Sequence, residues 1–404
     1  MRRNLRDYMA EHSKRYSVYR YMLDVIKNNP KISDDEFDEK LRDRIFDGKT
    51  SIEECQEMFI WVQSKLRSKL GILTPLTKDE SINEIMVNGY GNIFIERGSG
   101  MEKIDMAFED SEELEEVIRN IAASVHREIN ELNPILDARL ENGARVNAVF
   151  GNVALDGTAL TIRKFSNEHI TMEKLLEYGT LNKSCANMLK SMVEAGYNIF
   201  ISGGTSSGKT TFLNALADYI PQDERVIVIE DSRELALKQI KNIVQMECHN
   251  ANTLGKGLVS MDMLIKTSLR MRPTRLIVGE VRGKEVADML QAMNTGHDGS
   301  MSTGHGNSVK GMIRRLEAMY LMASKLPMDT IRAQIIEGID IFVHLARLKD
   351  GRRTVSQVVE LIGYENGEYV LNEIFNLDSN KLLAETGNKI INTGKFELKG
   401  TDYV

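Results

Sequence analysis

Cysteine is scarce in this 404-residue chain: Cys55, Cys185 and Cys248 stand far apart and form no C-x-x-C pair. That spacing indicates neither a disulfide framework nor a zinc ribbon, and leaves the three thiols as small buried hydrophobes. No run of about 18 apolar residues is present to cross a bilayer. The first residues, Met1-Arg2-Arg3-Asn4-Leu5-Arg6-Asp7, lead into charged helix rather than an apolar stretch, unlike a signal peptide. A cytoplasmic protein without a membrane span is therefore expected. Positive charge is not in excess either. The formal net charge of −7, with no basic stretch interleaved with aromatics, argues against direct nucleic-acid binding. Internal repeats, low-complexity tracts and Gly/Ser-rich linkers are also missing, so the length implies about two to four packed domains.

What the chain does have begins with helices over residues 1–72. Val18, Tyr21, Met22, Val25 and Ile26 share one helical face, and Asn28-Asn29-Pro30 stops that helix. Ser33 with Glu36, and Ser51 with Glu54, have capping-box spacing at two further starts. Cys55, Met58, Phe59, Val62 and Leu66 form the stripe of the last helix, and Gly71 to Pro75 is the expected boundary. Strands follow at 84–87 and 92–96, joined at Asn88-Gly89-Tyr90-Gly91, and again near 144–148 and 159–162. Between them Leu114, Val117, Ile118, Ile121 and Val125 mark an amphipathic helix. The next joint falls near Arg163-Lys164-Phe165.

Residues 171–363 alternate strand and helix patterns, as a parallel α/β sheet requires. Within them Gly203-Gly204-Thr205-Ser206-Ser207-Gly208-Lys209-Thr210 is a complete G-x-x-x-x-G-K-[ST] loop, followed by Thr211. It is preceded by a buried strand at 198–202 and followed by a helix. That setting turns successive backbone N–H groups, and the positive end of a helix, toward one anion. Lys209 would reach the β- and γ-phosphates of a nucleoside triphosphate and the Thr210 hydroxyl would hold Mg²⁺. Three further strands end at Glu230-Asp231, Glu280 and His305. Ligands of open α/β sheets bind beyond the carboxyl ends of strands, so these side chains converge on the triphosphate. Glu280 suits orientation of the attacking water or the Mg²⁺ shell, and Glu230 offers a carboxylate in an equivalent place. Which of the two is the base stays open. His297 and His305 lie too far apart for a helical metal pair, and His305 suits sensing of the γ-phosphate. No N/T-K-x-D guanine-reading segment follows the loop, so ATP is expected rather than GTP.

In order, GGTSSGKTT, VIVIEDSREL, SLRMRPTRLIVGEVRG and AMNTGHDGSMSTGHGNS resemble the Walker A, Asp box, Walker B and His box of the secretion-superfamily (type II/type IV) ATPases. The CpaF-type Flp/Tad pilus-assembly motors are the branch they resemble most. SINEIMVNGYGNIFIERG and ARLENGARVNAVFGNVALDGTALTIRKFS are similar to that family's N-terminal domain, arginine region and interdomain linker, which extends the resemblance over about residues 75–350. The resemblance implies a RecA-like P-loop ATPase domain (α/β) with an α+β N-terminal domain and a helical N-terminal extension. The boundaries are then 1–72 for the helical bundle, 73–160 for the α+β domain and 161–170 for the linker. The ATPase domain takes 171–363, and a strand-rich appendage takes 364–404. It also implies a homo-hexameric ring with ATP between domains, and Arg145 and Arg163 acting on the phosphates; Arg139 is a weaker match. Arg270 and Arg272 match a basic segment of the family. The implied partner is an inner-membrane platform protein of a pilus or secretion system, which places the ring at the inner face of the cytoplasmic membrane. Two departures stand out. The tetracysteine zinc module of type II secretion and pilus-extension relatives is absent, and SREL and HGNS replace commoner residues beside the Asp and His boxes. The function expected is a motor ATPase for pilus assembly or protein secretion. The alternatives are a type IV secretion or conjugation channel ATPase and, with less support, a nucleic-acid translocase.

Overall fold

The computed structural model describes residues 5–46, 48, 50–98, 100–140, 142–164, 170–249 and 256–401. The chain divides into two compact units, Met1–Ser166 and Asn167–Val404. Residues 165–169 of the expected linker, Phe165 among them, lie outside the described residues.

In the first unit, helices α1 (Leu5–Asn28), α2 (Asp34–Ile45) and α3 (Ile52–Arg67) pack around Val18, Met22, Phe37, Leu41, Ile45, Cys55, Met58 and Val62. Their starts are chemically fixed. Ser33 accepts the Glu36 N–H, and Ser51 with Glu54 completes a reciprocal capping box, which satisfies orphan donors of the first turn. Tyr21 departs from its expected apolar face: it is 41% exposed and lies under the Arg44 guanidinium. An aromatic ring can accept a cation instead of core contacts. No break in packing follows α3. A tight turn at Gly71–Leu73 runs into α4 (Thr74–Lys78), and Ile72 and Leu73 join the core of the sheet beyond. Trp61 is shared by both cores, while Lys65 pairs with Glu109 and Glu113.

That sheet comprises β1 (Ile82–Asn88), β2 (Ile93–Arg97) and β3 (Gly100–Ile104), then α5 (Ser111–Ser124), β4 (Ile135–Arg139), β5 (Arg145–Val149) and β6 (Ala159–Arg163). The strand order is β3-β2-β1-β6-β5-β4, antiparallel throughout. Leu114, Val117, Ile118 and Ile121 of α5 fill its buried face. β3 carries no apolar alternation and is exposed up to its last residue, Ile104, which packs against the core. Backbone pairing with β2, rather than side-chain burial, makes it a strand.

The second unit runs α6 (Met172–Glu177), α7 (Lys183–Ala195), β7 (Ile199–Gly203), α8 (Lys209–Ala217), β8 (Arg225–Glu230) and β9 (Asn242–Glu247). It continues with α9 (Met261–Ser268), β10 (Arg275–Val278), α10 (Glu285–Met293), β11 (Met301–His305), α11 (Val309–Ala323) and α12 (Met328–Gly338). It closes with β12 (Ile341–Arg347), β13 (Arg353–Glu365), β14 (Glu368–Leu377), β15 (Leu383–Glu385) and α13 (Gly394–Lys399). The sheet order is β15-β14-β13-β12-β7-β11-β10-β8-β9. Strands β12 to β9 pair in parallel and β13 to β15 add on antiparallel. Alternate residues of each strand face opposite sides. Ile199, Ile201, Val343 and Leu345 thus pack with α7 and α8, while Phe200, Ile229, Val278 and Phe342 pack with α9 to α12. This is the RecA-like three-layer α/β arrangement.

Residues 364–404 were expected as an appendage, but they are continuous with this layer. β14 follows β13 by a tight hairpin, and the tail then folds back onto the start of β7. The Tyr197 hydroxyl donates to the Asn392 carbonyl at 2.6 Å, and Phe396 packs on the Tyr197 ring. Lys395 reaches Asp340 at 2.7 Å and Asp298 at 2.8 Å.

The base of β10 is held by a buried ion pair. Arg275, only 1% exposed, forks onto both Glu224 oxygens and donates to the Val193 carbonyl at 2.6 Å. Gly299 has φ +80°, and a side chain there would strike the guanidinium. Removing one partner of a buried pair strands the other charge, at a cost of about 3–5 kcal/mol. Arg275→Ala should lower unfolding stability by that amount in urea titration, and an unchanged midpoint would contradict the packing described.

Candidate nucleotide site

Because β7, β11, β10 and β8 are parallel, their carboxyl ends reach one edge of the sheet. From the end of β7 the phosphate loop turns into α8, whose first residue is Lys209. The turn needs its glycines. A Cβ on Gly203 would stand 2.6 Å from the Leu345 carbonyl oxygen, and Gly208 has φ +93°. Ser206 adopts φ +57° without being glycine, a strained conformation of the kind stored at ligand sites. The Ser207 hydroxyl bonds the Gly204 carbonyl at 2.9 Å. No side chain caps the start of α8, so the N–H groups of its first turn have no side-chain acceptor there. Thr205 and Thr211 complete the stretch on either side of these positions.

Lys209 is only 7% exposed. Its ammonium donates to the carbonyls of Gly203 (3.3 Å) and Gly204 (3.0 Å) and meets His305 Nδ1 at 3.3 Å. Burial pulls its pKa below the ordinary lysine value, against the opposing pull of Glu280 and Glu234. An ammonium can only donate, so Nδ1 of His305 accepts and the imidazole proton sits on Nε2. Burial, with Lys209 and Arg282 nearby, lowers the His305 pKa despite Glu280, which keeps the ring neutral at neutral pH. Its Nε2 lies 2.8 Å from Glu280 Oε1 but without the alignment of a hydrogen bond. Glu280 Oε1 is therefore buried with no hydrogen-bond partner, while its Oε2 accepts from Arg282 at 2.8 Å.

Glu230 differs from Glu280. It is 4% exposed, and its Oε1 accepts the backbone N–H groups of Glu234 (2.8 Å) and Leu235 (3.0 Å). Burial pushes its pKa up to about 7 in spite of those donors. The carboxylate next to Thr210 is Glu234 instead, 3.3 Å from the hydroxyl. Asp231 pairs with Arg282 at 3.6 Å. His297 sits 3.0 Å from the Ala292 carbonyl at the end of α10, away from the loop.

Four residues of this neighbourhood escaped the sequence reading: Arg282, Glu234, His344 and Arg353. His344 meets Ser202 Oγ at 2.8 Å behind the loop, and Arg353 donates to the Ser206 carbonyl at 3.1 Å. Arg282 could have been sought two residues after Glu280, as could an acid four residues after Glu230. Arg353 carries no such local signal, because it arrives from a distant hairpin.

The expected arginines lie in the other unit. Arg139, Arg145 and Arg163 are direct cross-strand neighbours on β4, β5 and β6, and Glu84 of β1 continues the row beside Arg163. The structure thus brings Arg145 and Arg163 together as a pair.

Residues 67–370 match the family described as "Type II/IV secretion system protein". The chain is 33% identical to the conjugal transfer protein TrbB of Rhizobium radiobacter, over 76% of this chain and 92% of that protein. It is also 33% identical to the type IV secretion system protein PtlH of Bordetella pertussis, over 76% of this chain and 96% of that one. Among solved structures, the Legionella pneumophila ATPase DotB shares the fold, with a TM-score of 0.52 and 21% identity, covering 73% of this chain and 81% of that one. With an ordered set of strand-end acids and histidine around a complete phosphate loop, and a match across most of its length, the chain belongs to the type II/IV secretion system protein family.

Proposed function

We propose that this protein hydrolyses ATP and works as a ring-forming motor for pilus assembly or protein secretion at a membrane platform. The observation that carries the reading is Glu280 Oε1, a buried carboxylate oxygen with no hydrogen-bond partner, beside the ammonium that the phosphate loop wraps. An unsatisfied buried acceptor is costly. A water aligned for attack on the γ-phosphate would satisfy it. On attack the water oxygen bonds to the γ-phosphorus, its proton passes to Glu280 Oε1, and the bridging P–O bond breaks to release ADP. Arg282 fixes the other Glu280 oxygen, and the His305 Nε2–H faces the same carboxylate and so reports on the γ-phosphate position.

The residues present also fit Mg²⁺. The Thr210 hydroxyl at the start of α8 and the Glu234 carboxylate 3.3 Å from it offer hard oxygen donors. Bound there, Mg²⁺ would neutralise charge on the β- and γ-phosphates. Glu230 fits that shell less well, because one oxygen already holds the 234–235 backbone and its pKa favours partial protonation at neutral pH. We assign it to shaping the loop, and the base to Glu280.

Arg145 and Arg163 are proposed to neutralise transition-state charge when protomers assemble as a homo-hexamer. The transport system served is taken as a CpaF-type pilus assembly apparatus or a related secretion platform. A type IV secretion or conjugation channel is the second reading, favoured by the names of the 33%-identical relatives. Either platform would hold the ring at the inner face of the cytoplasmic membrane. Among the described residues no helix is long and apolar enough to cross a membrane.

Glu280→Gln keeps size and loses charge. It should bind Mg·ATP as the wild type does while turnover falls about 10²–10⁴-fold. Loss of binding with normal single-turnover hydrolysis in the remaining complex would reject the assignment. In a dilution series with parallel mass determination, turnover per chain should rise as rings form. Arg163→Ala should lower the assembled rate by about 10³-fold or more. Full activity in a verified monomer, unaffected by Arg163→Ala, would reject the ring mechanism.

A further inference from the structure

The parallel strand on the other side of β7 is β12, and its carboxyl end also reaches the phosphate loop: Leu345 pairs with Gly203. Two residues on, Arg347 stands directly opposite Arg353 of β13 in the antiparallel ladder. Both are exposed. Side chains two apart on a strand share a face, and Leu345 and Val355 both pack into the core beneath α7 and α8. Arg347 and Arg353 therefore emerge on the face that carries α8, at the edge where the loop lies. Arg353 confirms the proximity through its bond to the Ser206 carbonyl and its Cδ, which lies 3.4 Å from the position of a Cβ on Gly208.

Like charges directly opposite in a ladder repel. Neighbouring Arg352 is neutralised by Asp350 at 2.7 Å, whereas among the described residues neither Arg347 nor Arg353 forms an ion pair. Two uncompensated guanidinium groups thus face each other beside a loop built to hold an anion. The acids and His305 crowd the β11–β10–β8 side of Lys209, where the γ-phosphate chemistry is placed. The arginines occupy the opposite, β12 side.

We propose that Arg347 and Arg353 form an arginine clamp, supplied by the same protomer, on the α-phosphate end of the nucleotide. This rests on the nucleotide-binding reading above and deepens it. Planar guanidinium groups suit bidentate contact with phosphate oxygens, and the bound phosphate removes the repulsion between them. The clamp makes nucleotide binding depend on the β12–β13 hairpin as well as on the loop.

The test is equilibrium binding of ADP to the full chain and to Arg347→Gln, Arg353→Gln and the double variant, with thermal unfolding of each in the absence of nucleotide. Each single variant should weaken ADP binding about ten- to a hundredfold, and Arg353→Lys should recover part of the loss. Without nucleotide, Arg347→Gln should unfold no earlier than the wild type, because one of two repelling charges is removed while Arg353 keeps its bond to the Ser206 carbonyl. ADP affinity within about twofold of wild type in the double variant would overturn the clamp alone. An Arg347→Gln variant that is less stable without nucleotide would also overturn it, since that arginine would then serve the fold. Failure of the wild type to bind ADP would overturn the underlying site as well.

Discussion

A lysine ammonium held almost out of water sets the terms for the rest of the site. Lys209 is 7% exposed, and its close partners are two carbonyl oxygens and a neutral imidazole. Carbonyl dipoles ease the burial of a charge but do not cancel it, which is why its pKa is depressed. The backbone around it is arranged at further cost, with Ser206 in a left-handed conformation and Gly203 pressed against β12. Such strain persists where surrounding structure over-determines it. In the proposed function a phosphate chain would supply the missing negative charge and accept from backbone N–H groups of the loop and of the first turn of α8.

Strand order then divides the chemistry around that charge. On one side of β7 the order β11-β10-β8 delivers His305, Glu280 and Glu230 to the same edge in increasing burial. Glu280 keeps a buried oxygen without a hydrogen-bond partner, whereas Glu230 Oε1 is taken by the two backbone N–H groups that follow it. On the other side β12 and β13 deliver arginines. At the far end of β7, the Asp340–Lys395 pair and the Tyr197–Phe396 contact fasten the C-terminal tail. The strand that feeds the loop is thereby pinned at its start and open to ligand at its end.

Much of this could be read from the sequence, because the informative features were local. A phosphate loop is contiguous, its flanking strand Ile199-Phe200-Ile201 is wholly apolar, and Glu280 and His305 each close a short apolar or small-residue strand. What stayed hidden depends on pairing between distant segments. β9 is half-buried and mixed in polarity, β12 interrupts its apolar run with His344, and β3 has no pattern at all. The tail looked separate because its partners, Tyr197, Asp298 and Asp340, lie far back in the chain. Arg282 and Glu234 were close in sequence to recognised acids, yet only the turn geometry after β10 and β8 gives them their partners. The distinction between Glu230 and Glu280 was equally out of reach, since it depends on which carboxylate oxygen the backbone already occupies.

The most direct measurement is calorimetric titration of Mg·ATP into the wild type and into Lys209→Ala, with circular dichroism to verify that both are folded. Removing the buried ammonium deletes the charge that the phosphates complete, so the folded variant should lose binding by about 10²-fold or more. Undiminished ATP binding by well-folded Lys209→Ala would contradict the account, because the loop would then have been built around something other than a triphosphate.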